Sequence, residues 1–129
     1  MNELEIKSIC KKYGIKNYTI NPDGSIDVDG SVNLSYQKLT KLPLNFNRVT
    51  GNFYCHNNRL TSLEGGPKEV GEYFSCHDNR LTSLEGGPKE VGVYFFCYNN
   101  PLPKTIIDDP KVWIKSYYRD QQINKILND

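Results

Sequence analysis

One sentence of sequence is repeated in this chain almost letter for letter, at a spacing of 21 residues. Phe53 to Glu72 reads F-Y-C-H-N-N-R-L-T-S-L-E-G-G-P-K-E-V-G-E, and Phe74 to Val93 reads F-S-C-H-D-N-R-L-T-S-L-E-G-G-P-K-E-V-G-V. A third copy opens at Phe95 as F-F-C-Y-N-N-P-L and breaks off at Pro103. A fainter copy lies upstream, with Val32, Leu34, Leu39, Leu42 and Val49 at the equivalent places. A fixed period of this length marks a solenoid, in which each unit buries its apolar side only against its neighbours. It also moves the functional expectation away from catalysis and toward a binding surface.

The remaining chain reads as two ends for that stack. A solenoid needs terminal caps, because its last repeats otherwise present an apolar face to water. Leu4, Ile6, Ile9, Cys10 and Tyr13 form a helical stripe that Gly14 can end. Tyr18 and Ile20 alternate into Asn21-Pro22-Asp23-Gly24 and out through Ile26 and Val28, the pattern of a β-hairpin. Asp29-Gly30 then turns into the first repeat. Beyond Pro103, Asp109 and Pro110 suit a helix start, and Val112, Trp113, Ile114, Tyr117, Tyr118, Ile123, Ile126 and Leu127 follow on that helix. Its apolar content exceeds what one narrow face needs, so two uses are expected: a cap over the last repeat, or a surface for a partner or a homodimer. The chain therefore divides into an N-terminal helix and hairpin cap (1–31), repeats (32–52, 53–73, 74–94 and a partial 95–102) and a C-terminal helical cap (103–129).

Within the repeats the pattern is F-x-C-x-x-N-x-L-x-x-L followed by E-G-G-P-K-E-V-G. This resembles the leucine-rich repeat, with Phe and Cys where that family usually places leucines. The short period and the N-x-L-T-x-L core are most similar to the short bacterial type, found in type III-secreted effectors and small repeat proteins of bacteria and phages. The first unit departs from it, with Gln37 in the asparagine slot and Pro43-Leu44 in place of the E-G-G start. The resemblance implies an α/β-type repeat solenoid, a leucine-rich-repeat stack with a parallel β-sheet on its concave face. Alternation along F-x-C then sends Phe53, Phe74 and Phe95 inward in one ladder and Cys55, Cys76 and Cys97 in another. Leu39, Leu60, Leu81 and Leu102 form a third, beside Leu42, Leu63 and Leu84, and Val49, Val70 and Val91 close the core from the convex side. Asn58, Asn79 and Asn100 stand where the chain bends, with amides able to pair backbone groups that the bend leaves bare. Cysteines so placed are small buried hydrophobes, which favours a reducing, cytoplasmic compartment.

Three outward ladders remain as the candidate site: Asn52, Tyr73 and Tyr94; Asn33, Tyr54, Ser75 and Phe96; and Ser35, His56, His77 and Tyr98, edged by Tyr36, Asn57, Asp78 and Asn99. Exposed tyrosine and phenylalanine in register either stabilise the sheet by stacking on each other or meet a protein partner, and these residue types dominate interface hot spots. The expected partner-binding set is Tyr54, His56, Tyr73, Ser75, His77, Tyr94, Phe96 and Tyr98. If the source is a phage, a protein inhibitor of a host enzyme or defence complex is a natural use of such a face.

Other classes fare worse. The competing reading is a small metal-binding protein or enzyme using His56, His77 and Asp78; two imidazoles one strand apart could share an ion, but Cys55 and Cys76 point to the other face. Cys76-x-Asp78 has the form of a reactive-cysteine motif of secreted ubiquitin ligases, yet it lies inside a repeat, and no catalytic residues or cofactors are expected. A net charge of +1 gives no field to draw nucleic acid. Lys38, Lys41, Arg48, Arg59, Lys68, Arg80 and Lys89 recur by repeat, but Glu64, Glu69, Glu85 and Glu90 alternate with them. No apolar run is long enough to span a membrane, and Met1 to Lys16 lacks the uninterrupted core of a signal peptide.

Overall fold

Two sheets run along the repeats, back to back, with parallel pairing from repeat to repeat; each full unit gives one short strand to both, and the partial last unit one to the front sheet alone. The computed structural model describes residues 1–128, and its centre is a β-solenoid of about 3 turns at the 21-residue spacing. The front sheet has four strands in chain order, β3 (Val32–Asn33), β5 (Phe53–Tyr54), β7 (Phe74–Ser75) and β9 (Phe95–Phe96). The back sheet runs β1 (Tyr18–Ile20), β2 (Ile26–Val28), β4 (Phe46–Val49), β6 (Glu69–Val70) and β8 (Glu90–Val91).

Register follows the repeat. Val32, Phe53, Phe74 and Phe95 are direct partners across the front sheet, as are Asn33, Tyr54, Ser75 and Phe96. Val28, Val49, Val70 and Val91 align on the back sheet. Between them the predicted core is filled: Phe53, Phe74, Cys55, Cys76, Leu60, Leu63, Leu81 and Leu84 have no solvent exposure. The aromatic ladder is in contact throughout, with Phe53 stacked on Phe74 at 5.6 Å and Phe74 tilted against Phe95 at 4.9 Å.

The asparagines close the bend. Asn58 donates to the carbonyls of Leu34 (2.8 Å), Cys55 (3.0 Å) and His56 (3.3 Å), and accepts from the N–H groups of Gln37 and Leu39. Asn79 and Asn100 repeat the scheme one and two units on. Each therefore ties three carbonyls to at least one N–H across two neighbouring units, and buried backbone groups at the turn are satisfied by side chain rather than by ladder. Close approach also explains the V-G at each repeat's end. A Cβ on Gly71 would fall on the carbonyl of Thr50, and one on Gly92 on the carbonyl of Gly71.

At the N-terminus, α1 (Glu3–Lys12) is capped by Asn2, whose side chain accepts from Glu5 N at 2.8 Å. Ile6 and Cys10 are buried, whereas Leu4, placed on the buried stripe by its spacing, is exposed. The predicted hairpin forms, with Tyr18 opposite Val28 and Ile20 opposite Ile26. Its second strand continues the back sheet, so the cap is hydrogen-bonded into the solenoid.

The C-terminal end holds two helices rather than the one expected: α2 (Lys104–Asp108) and α3 (Pro110–Asn128). Ile106 and Ile114 are buried against the end of the stack. The Tyr118 hydroxyl donates to the Gly87 carbonyl at 2.7 Å, and Lys89 lies 4.9 Å over the Tyr118 ring. Only the first half of α3 is used in this way. From Arg119 onward every described residue is exposed, including Ile123, Ile126 and Leu127.

Candidate functional site: the outer face of the front sheet

Side chains that alternate outward from β5, β7 and β9, and from the residues on either side of them, meet in two stacked columns. The first is His56, His77 and Tyr98. Adjacent rings lie 4.5 Å and 4.4 Å apart and within 12° and 8° of parallel. The second is Tyr73 and Tyr94, stacked at 5.8 Å, with Phe96 leaning on both at 6.3 Å and 5.7 Å. Phe96 meets Tyr98 edge-on at 6.4 Å and joins the columns. Tyr54 and Tyr36 each present an edge to His56 at 5.7 Å. The stacking follows from parallel, in-register strands about 4.8 Å apart, which place equivalent rings at contact distance.

Exposure rises toward the C-terminal end. Tyr94, Phe96 and Tyr98 are 57%, 38% and 45% exposed, while Tyr54, His56, Tyr73 and His77 are half-buried. Ser75 differs from the rest of the expected set: it occupies its outward rung between Tyr54 and Phe96 but is only 4% exposed, beneath its larger neighbours. It forms floor rather than contact surface. Seven of the eight residues thus share one continuous face.

Its electrostatics are local. The His77 Nδ1 lies 2.7 Å from Asp78 Oδ2, and Asn99 donates to Asp78 Oδ1 at 3.0 Å. These hydrogen bonds, His77's foremost, hold the Asp78 carboxyl below its ordinary range. His56 is set the other way. Its Nδ1 is buried without a hydrogen-bond partner. Burial, reinforced by His77 alongside and opposed by Asp78, lowers its pKa. The backbone here also has a signature: Tyr36, Asn57, Asp78 and Asn99 all have φ near +55°. Asn and Asp tolerate that left-handed region best among residues with a Cβ, and three of the four positions use them.

His56, His77 and Asp78 are brought together, but not around one point. The imidazole lone pairs lie in parallel ring planes, and one Asp78 oxygen faces His77 and the other Asn99. Among the described residues, no group of three or more His, Cys, Asp or Glu is arranged to hold a metal ion. The cysteines lie behind the sheet. Cys55, Cys76 and Cys97 are buried and unpaired, and burial raises their thiol pKa values, that of Cys97 to about 11. No described helix is long and apolar enough to cross a membrane. Comparison with protein-family models, with curated proteins and with solved structures gave no match.

Proposed function

We propose that this protein is a binding module that recognises a protein partner through the aromatic and histidine face of its front sheet, without catalysis. One observation carries the reading. Tyr94, Phe96 and Tyr98 are held rigid by stacking yet keep 38–57% of their surface in water. Large aromatic side chains prelocked in this way lose little entropy on binding and bury much area, which is the make-up of an interface hot spot. The repeat sequence supports membership of the short leucine-rich-repeat class, and such a face on a phage-encoded, cytoplasmic chain would suit an inhibitor of a host enzyme or defence complex.

The test is a pair of double substitutions measured against a partner recovered from the source cell. Tyr73→Ala with Tyr94→Ala is expected to weaken binding by about 2 kcal/mol or more, roughly thirtyfold, with the fold intact. Lys41→Ala with Lys68→Ala, which alters exposed lysines outside the stacked aromatic columns, is expected to change it little. Lys89 is no control, because it rests on Tyr118. An equal or larger loss from the lysine pair sinks the reading.

A further inference from the structure

Past the aromatic columns along the chain, three residues after each outward histidine position, comes a row of cations: Lys38, Arg59 and Arg80. All three are exposed. Arg59 and Arg80 hold equivalent places, the Arg59 N–H donating to the Leu39 carbonyl and the Arg80 N–H to the Leu60 carbonyl, both at 2.8 Å, whereas Lys38 departs from them with a φ of +58°. Arg59 and Arg80 are therefore about one strand spacing apart. The mixed charges of the sequence sort themselves in the fold. Arg48 pairs with Glu69 at 3.4 Å on the back sheet, with Glu90 next in register. Among the described residues, no side chain of the Lys38, Arg59 and Arg80 row takes part in an ion pair. The acid nearest in sequence, Asp78, is held by His77 and Asn99 instead. Like charges stacked rung on rung oppose folding, and among the described residues no carboxylate lies within ion-pair distance of them.

We propose that the partner segment received by this face is acidic: an aspartate- and glutamate-rich stretch of a protein whose carboxylates pair with Lys38, Arg59 and Arg80 while its apolar side chains cover Tyr94, Phe96 and Tyr98. This rests on the binding reading above and names the chemistry of what binds. Arginine favours carboxylate geometry through its planar fork, and a charged rim beside an aromatic centre sets orientation and encounter rate. A single-stranded nucleic acid also seeks cations and aromatics, but it needs free ring faces for its bases. Here the rings of His56, His77 and Tyr98, and those of Tyr73 and Tyr94, are already stacked on one another, so a base could stack only at the end of a column.

The experiment is an amide NMR titration of the whole chain at low salt with three probes. They are a glutamate-rich peptide containing two tryptophans, the same peptide with every Glu replaced by Gln, and an oligothymidylate of similar length. The acidic peptide is expected to shift amides of β7, β9 and the residues around Arg59 and Arg80. It should bind at least tenfold tighter than the neutral one, an advantage that shrinks at high salt and disappears in Arg59→Gln/Arg80→Gln. That variant is expected to melt no lower than the parent, since it relieves repulsion; a clear drop would make the row structural and overturn the proposal. Equal binding of both peptides to the face overturns the acidic preference and leaves the binding reading standing. Shifts from neither peptide, or from both only on the back sheet, overturn both. Oligothymidylate binding as tight as the acidic peptide, or concentration-dependent self-association through the same amides, also overturns it.

Discussion

Asn79 reaches back a full repeat to Cys55: its amide donates to the Cys55 carbonyl at 3.0 Å, while its Oδ1 accepts from Leu60 N at 2.9 Å. With the bond to Cys76 O it satisfies three buried backbone groups from one side chain. Asn79→Ala is expected to cost about 3 kcal/mol, because orphaned buried groups cost about 1–3 kcal/mol each and water enters only in part. Asn100→Ala, where the same bonds are partly solvated, should cost less. Urea unfolding of both variants checks the order; an Asn100 effect equal to or above that of Asn79 would count against it.

The cysteine ladder should be silent to reagents in the folded state. Cys55 and Cys76 have no exposure and Cys97 almost none. Thiol labelling is expected to proceed at the unfolding rate, and rapid labelling of Cys76 would contradict the register. Cys76→Ser should destabilise by about 1–3 kcal/mol, the cost of burying an unmatched hydroxyl. Folded thiol pKa values are raised above the ordinary 9.0, so the folded state favours the protonated form. Stability is therefore full below pH 9.0 and falls as pH rises from there toward the folded values, the lowest of them about 11 for Cys97. Denaturant melts at pH 8 to 11 measure this.

His56 gives the acid limb. Its folded pKa lies below 6.5, so folding favours neutral imidazole. The stability it contributes is present above pH 6.5 and is lost as pH falls through 6.5 toward the folded value. Carbon-13 or proton NMR of the ring should show a midpoint under 6.5, and His56→Gln should flatten the pH dependence of melting in that window. The lowered Asp78 acts separately, below pH 3.8.

The two halves of α3 should separate in truncation. Ile114 is 1% exposed and in reach of Gly87, so Ile114→Ala is expected to cost about 2–4 kcal/mol. Tyr118→Phe should cost about 1 kcal/mol for its bond to Gly87. Deleting residues from 120 onward should leave the melting temperature nearly unchanged, because the described side chains there, 120–128, are all exposed. A loss of cooperative unfolding on that deletion would show the distal half to be part of the cap.

Much of this was legible in the repeat. A period of 21 puts equivalent residues on one rung, so the Phe, Cys, Leu and Val ladders and the role of Asn58, Asn79 and Asn100 follow without coordinates. What escaped depends on neighbours rather than on spacing. Ser75 points outward by alternation, but the bulk around it decides that it is buried. Leu4 lies on the apolar stripe of α1 but beyond the reach of the sheet. In the sequence the back sheet shows only as a valine seam, because E-V is too short to announce a strand; β6 exists through pairing with β4, and β8 through pairing with β6. The Lys38, Arg59 and Arg80 row does not stand out along the chain, where the glutamates alternate with it. In the fold they part.

Phe53 meets Phe74 in the same register in which Phe74 meets Phe95, and the two full units differ at few positions. The upper surface of one full unit therefore fits the lower surface of the other. Such a chain is a measuring rod marked in equal divisions. Duplicating or excising one unit would lengthen or shorten the front face by about 4.8 Å without creating a new kind of interface. Its span can thus be matched to a counterpart by copying an existing segment, with the ends carried along unchanged.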